Sequence, residues 1–201
     1  MQTLMVDFII SLDGYSAAEG WPGFWGMEGP EYLGWLDEQP QDAETLMGAT
    51  TYREMSQMAA QAKEADSPFR DEEEASLGTL DAMAKVVFSS TFAEPLGWPN
   101  TRRVTGDAVA EVTAMKRDGD RELRTLGSVS LCRSLLAAGL VDRFRLVVFP
   151  VITGRTGAKR IFDGYPDVTL ELVESRTFDG RLQLLEYVPT VLDGPPGATS
   201  S

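Results

Sequence analysis

Histidine is absent from the 201 residues, and cysteine occurs once, at Cys132. The first absence excludes a histidine-based triad, a histidine metal ligand and a histidine general acid. The second excludes an internal disulfide and a thiolate zinc site, so no metal is expected. A lone thiol also suits the reducing cytoplasm. Cations are scarce: 18 Lys and Arg stand against 31 Asp and Glu, for a net charge of -13 and a pI of about 4.4. Such a chain is not expected to wrap nucleic acid, which demands a basic face. An anionic cofactor stays possible, because backbone amides and a few local cations can hold phosphate. Long apolar runs are missing too, so no segment is expected to span a bilayer. The opening MQTLMVDFIISLDG lacks a basic flank and a small-residue cleavage site. It reads as a strand, not as a signal peptide.

What is present suits one domain, with 43% apolar residues. LMVDFII (4–10) predicts a mostly buried strand, broken only by Asp7. The glycine-rich stretch 11–30 predicts a long structured loop, and 31–39 a short helix. AETLM (43–47) predicts a strand and TTYREMSQMAAQA (50–62) a helix. The charged segment 63–83 reads as a solvated, irregular excursion. Strands are then expected at 84–90, 102–105, 122–128 and 142–152, with helices at 107–119 and 129–141. Two alternating stretches, 168–177 and 181–188, flank FDG and predict a hairpin. This order predicts an α/β fold: a mostly parallel central sheet, helices on both faces and a C-terminal antiparallel hairpin. The domain is expected over 1–190, with a disordered Pro/Gly/Ser tail at 191–201. Ligands of such sheets bind at the carboxyl ends of the strands.

Three of those ends carry small or hydroxyl residues: Gly48-Ala49-Thr50-Thr51, Ser89-Ser90-Thr91 and Gly127-Ser128-Val129-Ser130. Glycine lets backbone approach a ligand closely. A helix start offers unpaired amides and a partial positive charge. Together the three ends suit the phosphates and ribose hydroxyls of a dinucleotide. A local reading stands beside this one. Thr51 and Glu54 have capping-box spacing, and any single Gly/Ser junction is more often a turn.

ISLDGYSA, LMGATTYREM, VVFSSTF and TLGSVSLCRSLLAAGLVDRFRLVVFPVITG, in this order, resemble the dihydrofolate reductase-like superfamily. The branch resembled is the one that includes the reductase domain of riboflavin biosynthesis. The resemblance implies a three-layer fold and a reductase that passes hydride from NADPH to a small heterocycle or carbonyl. It implies that Gly48, Thr50 and Thr51 meet the adenosine-side phosphates and that Ser89 and Ser90 lie beside the adenine ribose. Gly127, Ser128, Val129 and Ser130 would meet the pyrophosphate and nicotinamide. Ile10, Ser11 and Leu12 fall near the nicotinamide, and Asp13-Gly14 opens the loop over the substrate. Ala49 and Ser130 stand where dihydrofolate reductases usually place basic residues, so NADH stays open beside NADPH; Arg53, Arg102 and Arg103 are candidate substitutes. Glu31 or Asp37 is the candidate for the carboxylate such enzymes carry on their first helix. Riboflavin-pathway reductases usually have a glutamate before the glycine turn and a DDP motif after the second strand. Thr125 and Met55-Ser56 stand near those positions.

Asp13 has two readings, a substrate contact or proton relay and an Asx turn. Trp21, Phe24 and Trp25 either wall a pocket for a flat heterocycle or pin the loop to the core. Cys132 reads as a buried, inert thiol, and Arg155, Lys159 and Arg160 as a solvated turn. The expectation is a cytoplasmic NAD(P)H-dependent reductase. The alternatives are an authentic 5-amino-6-(5-phosphoribosylamino)uracil reductase and a non-catalytic nucleotide-binding module. The C-terminal strands are apolar on both faces with few helical residues left to cover them, which predicts a homodimer through that region.

Overall fold

The apolar run at the N-terminus forms β1 (Leu4–Ser11), a central strand of the sheet. The computed structural model describes residues 1–19, 25–69, 71–93 and 96–197. After β1 come β2 (Tyr15–Ala18), α1 (Pro30–Asp37), β3 (Glu44–Gly48), α2 (Ala49–Gln61), α3 (Asp71–Ala82), β4 (Ala84–Phe88) and β5 (Thr101–Val104). They are followed by α4 (Ala108–Asp118), β6 (Leu123–Thr125), α5 (Val129–Ala137), β7 (Arg143–Phe149), β8 (Gly157–Arg160), β9 (Val168–Phe178) and β10 (Leu182–Val191). The main sheet has the order β5-β4-β3-β6-β1-β7-β10-β9. Its first six strands are parallel, and β10 and β9 form the antiparallel edge.

Alternation along the strands sorts the layers. Leu4, Val6, Phe8 and Ile10 of β1 join Leu46, Val86 and Leu123 in a core with Val112 of α4 and Leu131, Leu135 and Leu136 of α5. The other face carries Ile9, Val147 and Leu184 against Tyr32 and Trp35 of α1. Met47 and Val87 pack there against Tyr52 and Ala59 of α2 and Leu80 of α3. The three-layer α/β fold with a C-terminal hairpin is therefore the observed one.

Several local expectations change. Residues 71–82 of the supposed excursion are helix α3, whose Leu77 is buried. Lys85 anchors the end of that helix by donating from Nζ to the carbonyls of Asp81 and Met83. The loop 11–30 contains β2, which pairs antiparallel with β8 in a separate two-stranded sheet. Strand β6 stops at Thr125, and the chain then turns left-handed at Gly127 and Ser128. Strand β10 runs to Val191, one residue into the predicted tail, and the Leu192 amide donates to Asp167 O at 2.8 Å. Of that tail, residues 198–201 lie outside the described residues.

The FDG hairpin turn also starts a helix. Asp179 and Gly180 both have positive φ, and the Arg181 amide closes the turn by donating to Phe178 O at 2.9 Å. The Asp179 carboxylate accepts from the amides of Glu31 and Tyr32 at 3.1 and 3.2 Å, and the Glu31 carboxylate accepts from the Asp179 amide at 2.6 Å. A Cβ on Gly29 would fall 2.3 Å from Asp179 Cγ, so any other residue there would displace the carboxylate that holds the start of α1. Among the described residues no helix is long and apolar enough to cross a membrane.

Candidate functional site

The two glycine-containing junctions meet across 80 residues of chain. Ser128, held at φ 67, accepts the Gly48 amide on its hydroxyl at 2.7 Å. The same hydroxyl donates to Thr51 Oγ1 at 2.8 Å. The starts of α2 and α5 are thereby laced together. Neither helix has a side-chain cap, so their first-turn amides lack intrahelical partners. The capping box expected at Thr51 is not formed. Helix α2 begins at Ala49, Thr51 sits inside its first turn, and Glu54 pairs instead with Lys159 Nζ at 2.6 Å.

Gly48, Ala49, Thr50, Thr51, Gly127, Ser128, Val129 and Ser130 line a cavity of about 960 Å³. The cavity continues over the sheet face beneath α1, α2 and α3. Asp7, Phe8 and Ile9 of β1, Thr45 of β3 and Arg124 of β6 line it there, with Tyr32 and Trp35. Those two rings stack, with centroids 5.8 Å apart. Among the described residues, the cations along the cavity are Arg124, Arg133 and Lys159. Arg53, Arg102 and Arg103 do not line it. Arg53 lies over the Phe92 ring, Arg102 pairs with Glu44 and Glu111, and Arg103 donates to the Phe92 carbonyl.

Other predicted residues sit apart from the cavity. Ser89 and Ser90 are outside its lining, and the Ser89 hydroxyl accepts the amides of Thr91 and Phe92 in a tight turn. Ile10 belongs to the core on the α4–α5 side. Ser11 is fully buried; its hydroxyl donates to Asp13 at 2.6 Å and accepts the Tyr15 amide at 3.0 Å. Gly14 turns at φ +87 against the Phe162 ring. From this end of the molecule, Ser16 and Ala17 of β2 reach the cavity instead. Trp25 packs beside the cluster of Tyr32, Trp35 and Phe178, while Trp21 and Phe24 lie outside the described residues. Of the two candidate carboxylates on α1, Glu31 is spent on the hairpin and Asp37 lines the cavity.

Asp13 ties two loops together. Its carboxylate accepts from Ser11 Oγ, from the Thr153 amide at 3.2 Å and from the Gly154 amide at 2.8 Å. The Ser11 hydrogen bond and these amides hold its pKa down at about 2, against an ordinary 3.8. An aspartate so held is ionised at neutral pH and offers no proton. A depressed folded-state pKa contributes stability above the unfolded pKa, and that contribution is lost as pH falls through the folded one. Asp13→Asn is therefore expected to flatten the acid limb of stability between about pH 4 and pH 2. Thermal melts of both proteins across that range check this, and parallel curves refute it.

Asp7 is the functional candidate that sequence reasoning passed over. A carboxylate interrupting an apolar central strand was the available signal. Burial pushes its pKa up, although Arg145 at 3.8 Å and Arg124 pull the other way. Cys132, by contrast, is buried with its thiol pushed up to about 12 and donating to Gly127 O, under the glycine turn. No cluster of His, Cys, Asp and Glu suited to a metal ion occurs among the described residues. The arrangement offers amides and cations at one end and a polar floor between aromatic walls at the other. It suits an elongated ligand with an anionic part and a flat polar part.

Comparison with known proteins agrees with this architecture. The family model of the RibD C-terminal domain matches residues 2–184. The uncharacterized protein YyaP of Bacillus subtilis is 24% identical over 184 residues, covering 92% of this chain and 93% of its own. A putative riboflavin biosynthesis protein from Shewanella sp. PV-4 superposes with a TM-score of 0.69 at 19% identity, over 94% of this chain and 99% of that one. The diaminohydroxyphosphoribosylaminopyrimidine deaminase/5-amino-6-(5-phosphoribosylamino)uracil reductase of Thermotoga maritima superposes at 0.61, also with 19% identity. That likeness spans 94% of this chain and 57% of the Thermotoga chain.

Proposed function

Since the chain belongs to the RibD C-terminal domain family, we propose that it is an NAD(P)H-dependent reductase of a small heterocyclic or carbonyl substrate. One observation carries the reading: a single cavity joins two uncapped helix starts to a polar floor walled by Tyr32 and Trp35. The residues present fit a nicotinamide dinucleotide. The first-turn amides of α2 and α5 suit its pyrophosphate, and Arg133 adds positive charge. Glu54 of α2, an acidic side chain in this part of the lining, is already neutralised by Lys159. When bound, the cofactor supplies the hydride. The protein's own part is to fix the phosphates, to hold a flat ring against the aromatic walls, and to offer the Asp7 carboxyl for proton traffic. NADPH is the expected cofactor. The non-basic Ala49 and Ser130 leave NADH as a competitor, and the single buried thiol suits the cytoplasm.

Titration with NADPH and NADH, followed by tryptophan fluorescence, tests the reading. Saturable quenching at submillimolar concentration is expected, because Trp35 lines the cavity. No response to either nucleotide at millimolar levels overturns it.

The reading includes a symmetric homodimer through the C-terminal strands. Strand β9 is the sheet edge, and its residues from Thr169 to Thr177 are exposed. Leu170, Leu172 and Val173 lie among them at 42%, 55% and 49% exposure. A long, partly apolar edge pairs readily with a second copy. Light scattering is expected to give twice the 22.0 kDa chain mass, and Leu172→Lys with Val173→Lys is expected to yield monomer. A wild-type mass near that of one chain at micromolar concentration rules the dimer out.

A further inference from the structure

Three polar side chains on the cavity floor, Asp7 among them, have hydrogen-bonding capacity that proton traffic alone does not use. Thr45, Arg124 and Asp7 sit on β3, β6 and β1, neighbouring strands at the centre of the sheet. Thr45 is in register with Arg124, and Arg124 with Met5, which precedes Asp7 on the same face of β1. Their chain neighbours Leu46, Leu123, Val6 and Phe8 point into the α4–α5 core. All three polar residues therefore project to the opposite side, and all three line the cavity.

Their hydrogen-bonding capacity is open. Thr45 is 3% exposed, and its hydroxyl has no partner among the described residues. Arg124 Nε is also buried without a partner among the described residues, and the guanidinium's ion pair with Glu122 is long, at 3.8 Å. The Asp7 side chain keeps 22% of its exposure, and its ion pair with Arg145 is also 3.8 Å. Arg145 is itself committed to Glu186 and to Gln39. Native proteins rarely leave buried polar groups unpaired, and a cluster of them in a cavity points to a ligand.

We propose that Asp7, Arg124 and Thr45 form a recognition floor for the lactam edge of a ring, an N–H beside a C=O. The inference deepens the reductase reading by naming what the substrate end grips. Arg124 Nε–H can only donate, and an ionised Asp7 can only accept. A neighbouring carbonyl and N–H satisfy both at once, and the Thr45 hydroxyl serves either. A carboxylate ligand would meet Asp7 as a like charge, and an ammonium would meet Arg124. The aromatic walls fit the flat ring that carries such an edge. The groups facing Asp7 are Arg124 on β6, Arg145 on β7, Glu186 on β10 and Tyr32 on α1. Within this set the carboxyl titrates above its ordinary range. A bound N–H favours its ionised form, so binding weakens as pH falls through that titration.

The test measures binding alone, by calorimetry on the full chain. The probes are 2-quinolone, N-methyl-2-quinolone and quinoline. The lactam is expected to bind at least tenfold more tightly than the other two, because a site built for hydrogen bonds rejects ligands that leave its groups unpaired. Asp7→Leu and Arg124→Met should each remove most of that discrimination, and Asp7→Asn, whose amide oxygen still accepts an N–H, should remove its loss at acid pH. Thr45→Val should weaken lactam binding while leaving the apo melting temperature unchanged or higher, since it deletes an unpaired hydroxyl. Equal affinity for the three probes, or discrimination unaffected by Asp7→Leu, overturns the proposal. So does a lower apo melting temperature for Thr45→Val, which would assign that hydroxyl a structural partner. Parallel titration with NADPH keeps the outcomes apart: failure to bind nucleotide counts against the reductase reading, and lost lactam discrimination counts against this floor.

Discussion

Replacing Glu186 by alanine is expected to cost about 3–5 kcal/mol of stability, the range for stranding one partner of a buried ion pair. Arg145 and Glu186 face each other on β7 and β10, with side chains only 10% and 9% exposed. Arg145 Nε and Nη2 both donate to one Glu186 oxygen, at 2.9 and 2.7 Å. Nη1 donates to Gln39 at 2.9 Å, and the guanidinium lies 5.2 Å from the Trp35 ring centroid. Without Glu186 the buried cation keeps, among the described residues, only Asp7, 3.8 Å away, as a counter-charge. Urea unfolding measures the loss, and a value below about 1 kcal/mol would place the pair among the weak surface bridges. The double variant Arg145→Met, Glu186→Leu is expected to recover most of the loss. Removing both charges strands neither member of this pair, whereas removing one does, although Asp7, Gln39 and Arg143 each lose a partner.

The strands and helices around the sheet centre were legible because their burial is periodic. Leu4, Val6, Phe8 and Ile10 alternate along β1, and Leu131, Leu135 and Leu136 recur at helical spacing along α5. Helix α3 was hidden because it carries few apolar residues among its charges, and a charge-rich stretch reads the same whether or not it is helical. Strands β2 and β8 have four residues each and pair across about 140 residues of chain, so no local pattern could announce them. The site divides in the same way. Glycine and hydroxyl residues at strand ends are a local signal, and it led to both helix starts. That one hydroxyl, Ser128, would serve Gly48 and Thr51 together is a tertiary fact. Asp7, Thr45 and Arg124 each look like a lone interruption of a strand. They become neighbours only through the order β3-β6-β1, which places a late strand between two early ones.

Gly48→Val is expected to raise the Kd for NADPH at least tenfold, about 1.4 kcal/mol, with less than about 1 kcal/mol lost from stability, the usual range away from strained backbone. The backbone at Gly48 has φ -86, a conformation any residue adopts. A Cβ there would lie 3.5 Å from Ser128 Oγ, an ordinary contact. Folding therefore tolerates a side chain at this position. The helix start does not tolerate it equally, because the valine methyls would occupy the space between the first turns of α2 and α5, where an anion must approach the amides. Gly127 makes the contrast. Its φ of +55 strains any L residue, so Gly127→Ala is expected to lose stability as well as affinity. Gly48→Ala should fall between wild type and valine. Fluorescence titrations paired with thermal melts separate the two effects. If Gly48→Val melts like the wild type and binds NADPH equally well, the junction is a turn and the phosphate lies elsewhere. If it binds weakly while melting normally, the glycine is there for the ligand.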